Sequence, residues 1–242
     1  MSDWWNDRSI LEVPAKDVPK FLWQHFEADH KPGAWEALNA GYAESHRAYH
    51  AWGHIGDLLV KLAKNSLLAT EPKLIATAIY WHDAVYQTQN AEGLYRSDKD
   101  NVRDSAALFR RYTTLPAVEV EAVYEFIMAT ANHLGAVASS ERYPGFAKDF
   151  GLFLDLDLSP LGAAWEACQQ DTLNIRKEFN WVPHDQFCAG RAKVLQGFVD
   201  AKPLFRNPSL DAAWGDKARA NLRRSIVDLK NGKIVAGGPH AK

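Results

Sequence analysis

Two cysteines, Cys168 and Cys188, are all that the 242 residues contain. They form no CxxC or other metal-binding spacing, so neither a disulfide scaffold nor a thiolate site is expected, and both read as reduced, buried thiols. No stretch approaches the roughly 18 apolar residues that a membrane-crossing helix needs. The opening MSDWWNDRSILEV sets Asp3, Asp7 and Arg8 where a signal peptide requires an unbroken apolar stretch. No basic run resembles a nucleic-acid arm, and with a formal net charge of −2 and a pI near 6.5, a polymeric polyanion is not the expected partner. Alternating strand patterns, internal repeats and low-complexity linkers are also missing. The expectation is a cytoplasmic protein with no membrane partner.

What is present is helical periodicity. Apolar residues at 47% and aromatics at 12% suffice for a sizeable core without disulfides. The pattern predicts helices over 18–27, 34–46, 55–68, 71–85, 98–112 and 117–132, then 148–154, 161–179, 184–198 and 210–229. Pro72 suits a first turn, Gly135 a stop, and Ser159-Pro160 the start of the helix from Leu161. The fold class is therefore all-α.

The nine histidines matter by position. His50 and His54 stand four apart and would share a face if their segment is helical. His82 adjoins Asp83 at the end of the apolar AIYWHDAVY. His133 closes FIMATANH, and Asp155 and Asp157 follow GLFL in FLDLDLSPLG. Imidazole and carboxylate are the ligands of Zn, Mn, Fe, Co or Mg used hydrolytically. An aspartate buried in apolar surroundings needs a partner, and a divalent cation would supply one. His25, His30, His46, His184 and His240 read as structural or surface residues. The tryptophans read mainly as core, with Trp52 and Trp81 flanking the candidate ligands as pocket walls.

The ordered set His54, His82-Asp83 and a distant Asp resembles the HD superfamily pattern H…HD…D. The phrases YHAWGHI, YWHDAVY, MATANH and DLDLSPLG are similar to its predicted metal-dependent phosphohydrolases, over roughly Tyr42 to Arg224. A lone HD dipeptide is common; the ordered set in its apolar context is specific. The resemblance implies a single HD-type helical bundle at 36–230, with an N-terminal helical segment (1–35) packed on it and a flexible tail (231–242). It implies metal ligands His54, His82, Asp83 and Asp157, with Asp155 orienting a ligand or water behind them. It implies hydrolysis of a small phosphorylated molecule, a nucleotide being the favoured class.

Asp83 is then both ligand and the carboxylate nearest the attacking water, with His50 and His133 as further catalytic candidates. Arg176, Arg191, Lys99 and Asn101 are candidates for holding the phosphate, with Arg103 and Ser105 beside them. Two departures matter. Some nucleotidases of the superfamily carry Glu three residues after the HD Asp, where this chain has Tyr86. Its di-iron oxygenases use further histidines between the HD pair and the last Asp, where this chain has only His133. A di-iron oxygenase and a non-catalytic, metal-containing nucleotide-binding module are the rival readings. A homodimer is compatible with the pattern.

Overall fold

Helices dominate the computed structural model, which describes residues 4–234. Among the described residues there are ten α-helices joined by turns, and no sheet; two isolated β-bridges, His30 with Thr113 and Gln89 with Tyr95, are the extent of strand-like pairing. The all-α class is as the periodicity predicts. The chain divides into two compact units, Met1–Leu156 and Asp157–Lys242, whereas the sequence pattern set its boundaries at 35 and 230. Most of the expected tail, from 235 on, lies outside the described residues.

The first unit contains α1 (Val18–Leu22), α2 (Ala34–Tyr42), α3 (Trp52–Lys64), α4 (Pro72–Trp81), α5 (Asp98–Tyr112), α6 (Ala117–Ala129) and nearly all of α7 (Phe146–Leu158). Helix α4 is its innermost element, with nine of its ten residues buried. Its β-branched and aromatic residues are mediocre helix formers, so packing rather than propensity holds it. Pro72 opens it at a position where a missing N–H costs nothing. Both oxygens of Asp149 on α7 accept main-chain N–H groups at its start, Thr70 at 2.7 Å and Glu71 at 2.8 Å. The fully buried Asp149 also accepts from the Tyr143 hydroxyl at 2.7 Å. Burial first, and this bond second, hold the Tyr143 phenol well above its ordinary range.

Helix α3 buries Ile55, Leu58, Leu59 and Leu62, the i, i+3, i+4, i+7 stripe of an amphipathic helix. Lys61 and Lys64 face the negative end of its dipole. It lies tightly on the turn Ala15–Asp17: a Cβ added to Gly56 would sit 1.7 Å from the Ala15 carbonyl oxygen. Helices α4 and α5 both pack on α6.

The second unit comprises α8 (Trp165–Glu178), α9 (His184–Asp200) and α10 (Pro208–Lys230), with α9 and α8 packed on α10. The predicted helix start at Ser159-Pro160 is instead a 3-10 turn, Ser159–Gly162, and α8 begins only at Trp165. Gly162 lies against Trp214 of α10, and Asn221 donates to the carbonyls of Leu161 and Ala163 at 2.8 and 3.0 Å. Those bonds hold Ala163 and Ala164 extended and delay the helix.

Candidate metal centre

Three helix ends supply the site. His54 lies in the first turn of α3, His82 caps the C-terminal end of α4, and Asp157 is the penultimate residue of α7. The division between the two units falls inside α7, an unbroken helix, so α7 carries Asp157. One donor atom from each of His54, His82 and Asp157 lies within 4.8 Å of the other two, and this group could hold a metal ion. Both histidines are buried, and their rings stand 5.6 Å apart. Phe153 of α7 meets His82 edge-on at 5.9 Å.

Asp83 faces the same place. Its Oδ2 is 3.1 Å from Nε2 of His82 and 3.9 Å from Nε2 of His54. The hydrogen-bond pattern around His82 makes this informative. Nδ1 of His82 lies 2.9 Å from the Ile79 carbonyl, which can only accept, so Nδ1 carries the proton. In the neutral ring Nε2 then presents a lone pair to a carboxylate oxygen. Two acceptors at that distance repel unless a cation or a second proton lies between them. A ligand histidine that binds a main-chain carbonyl through its other nitrogen is the arrangement that metal sites favour. The residues therefore fit a divalent ion.

His50 comes close by another route than the one its spacing suggests. The segment 43–51 is not helical, and Ala51 is extended at φ −131°, ψ 179°, so His50 and His54 share no helix face. The loop instead brings their rings within 6.4 Å, with His50 stacked on Tyr86 at 3.7 Å. Tyr86, where a Glu would stand in some nucleotidases, is thus buried beneath an imidazole. Asp155 is buried, and it precedes Asp157 by two helical positions, which turns it roughly 200° away around α7. His133 stands part-exposed after the turn that ends α6.

The candidate phosphate ligands divide between the two units. Asn101 is buried and engaged with the chain itself: its amide donates to the Gln87 carbonyl at 2.8 Å, and its oxygen accepts from Gln87 N at 3.1 Å and Arg96 Nε at 2.7 Å. Ser105 likewise exchanges bonds with the main chain of Val85. Lys99 is exposed in the first turn of α5, and Arg103 pairs with Asp100 and Asp104. In the second unit Arg176 is buried, donates to the Phe179 carbonyl and lies 4.9 Å over the Phe187 ring; Arg191 is half-buried on α9. Trp52 stacks on Trp35 and Trp81 is wholly buried, so both serve packing.

Sequence spacing gives no hint of Arg47. This buried arginine donates to the carbonyls of Asp83 (2.7 Å) and Ala84 (3.1 Å), directly behind the HD pair. Its signal in the sequence is slight: a charged Glu-Ser-His-Arg stretch set between aromatic residues.

No family model matches the chain, and a search of curated proteins finds no match. Among the described residues no helix is long and apolar enough to cross a membrane.

Proposed function

We propose that this protein is a metal-dependent phosphohydrolase of the HD type, acting on a small phosphorylated molecule, with a nucleotide the favoured class. The observation that carries the reading is the pairing at His82: Nδ1 bound to the Ile79 carbonyl, Nε2 turned toward the Asp83 carboxylate at 3.1 Å. His54 and Asp157 complete a donor set suited to Mn, Co, Mg, Zn or Fe.

A divalent ion held there would supply Lewis acidity toward water and toward a phosphoryl oxygen. The protein's own groups divide the remaining work. Asp83, at 15% side-chain exposure, is more open than either histidine and is the carboxylate placed to take the proton of an attacking water. The stack on Tyr86 holds the His50 ring 6.4 Å from the His54 ring, and His50 is the second group assigned to proton transfer in this reading. The buried walls given by α4 keep bulk water from the ligands' inner side.

The test is metal analysis of the purified chain, followed by phosphate release from nucleotides with Mn, Co, Mg or Zn added. About one ion per chain is expected, with release abolished in His82→Ala while helical content stays. Two irons per chain without phosphate release would move the protein to the oxygenases. Nucleotide binding without turnover would make it a sensor. No bound metal under any condition would leave an imidazolium–carboxylate pair in place of the centre and end the proposal.

A further inference from the structure

We infer that Arg47 is the positioning residue of this centre, locking the main chain at Asp83 so that its carboxylate stays against the two histidines. The inference rests on the metal reading above. Arg47 is 8% exposed as a residue, and its side chain 1%. Its guanidinium donates four hydrogen bonds: Nε to Glu44 Oε2 at 2.9 Å, Nη1 to the carbonyls of Asp83 at 2.7 Å and His50 at 3.4 Å, and Nη2 to the Ala84 carbonyl at 3.1 Å. A guanidinium has five N–H groups, so this one has no fork left for a phosphate. Its place in the site is to hold protein, not substrate.

The choice of arginine follows from the geometry. The carbonyls of Asp83 and Ala84 lie just past the C-terminal end of α4, where the helix dipole favours a cation. Three carbonyls and a carboxylate around one buried charge need a rigid planar donor, which lysine cannot supply. The same two segments are fastened at three more points. Gln87 donates to Glu44 at 3.0 Å, His46 Nε2 lies 2.9 Å from the Tyr86 carbonyl, and His50 stacks on Tyr86. Gly41 gives an independent sign of how tightly the Ala84 carbonyl is held: a Cβ there would lie 2.4 Å from that oxygen and 3.5 Å from Arg47 Nη2. Arg47 thus holds the carbonyls of the two peptide planes that follow Asp83, while the His82 ring is tied to the Ile79 carbonyl just before it, which limits how far the Asp83 main chain can swing from the histidines.

The experiment loads the full chain with Co²⁺ and records both its dissociation constant and its d–d absorption bands, alongside circular dichroism. Arg47→Met is expected to weaken Co²⁺ binding about 10–100-fold and shift the bands, the range for loss of a partner that orients a ligand. Arg47→Lys, which keeps the charge and one bond, should fall between Arg47→Met and the native chain. Gly41→Ala, which presses on the Ala84 carbonyl and spares the guanidinium, should shift the bands in the same way; it carries the test if the Arg47 variants do not fold. Partial unfolding would lower band intensity without moving the bands, so the shift separates positioning from mere stability. Native affinity and native bands in folded Arg47→Met, or in folded Gly41→Ala, would overturn the inference and leave the metal reading standing. A native chain that takes up no Co²⁺ would overturn both.

Discussion

The indole N–H of Trp81 donates to Nε2 of His30 at 3.0 Å, and Nδ1 of the same ring meets the Phe26 carbonyl at 2.8 Å. One nitrogen accepts and the other donates, so the ring must be neutral with its proton on Nδ1. Burial is the main force holding its pKa below the ordinary value of 6.5. This bond ties the loop before α2 to the last residue of α4, one position ahead of His82.

The sign of the pH dependence follows. The unfolded chain takes up a proton on His30 as pH drops through about 6.5, and the native chain resists until lower pH. Stability is full above that window and declines as pH falls through it, by at most about 1.4 kcal/mol per pH unit for one proton. Urea unfolding at pH 7.5 and pH 5.5 should show this decline, and His30→Gln should flatten it. Parallel pH profiles for the two proteins would refute the assignment.

Asp149 anchors the other end of α4. Asp149→Ala removes the acceptor of two main-chain N–H groups, on the exposed residues Thr70 and Glu71, and of the half-buried Tyr143 hydroxyl and should cost on the order of 3 kcal/mol. Tyr143→Phe removes one bond alone and should cost about 1 kcal/mol. Denaturant midpoints decide the matter: equal losses in the two variants would mean that the helix start does not depend on the carboxylate.

Gly56→Ala is expected to be as severe. A methyl group 1.7 Å from the Ala15 carbonyl meets backbone that cannot rotate aside, so α3 must part from the Ala15–Asp17 turn. The predicted loss is about 3 kcal/mol or more, read as a lowered melting temperature. A melting temperature within a degree or two of native would show that the N-terminal turns are loosely held.

How much of this the sequence displays depends on what each residue bonds to. Asp98–Tyr112 is predicted to the residue, and in the structure Ser97 caps it while Val102, Ala106 and Phe109 are buried along one side. His54, His82 and Asp157 are legible because polar ligands beside apolar helix ends stand out. Helix α7 is predicted to stop at Leu154, where two aspartates follow the apolar GLFL. In fact it runs to Leu158 with Asp155 buried inside it. Arg47 and Gly41 stay hidden for a different reason. Their partners are carbonyl oxygens, which every residue possesses, so no pattern of side chains marks them. Asn101 illustrates the converse: a polar residue in a suggestive stretch, engaged with main chain instead.

Enclosure of α4 on nearly all sides has a bearing on selectivity. A helix with nine of ten residues buried has no slack to shift toward a smaller ion or retreat from a larger one. In the proposed centre the donor at its end would therefore act as a gauge of fixed bore. Ions would be sorted by radius and by preferred geometry, because the protein cannot remould itself around each of them.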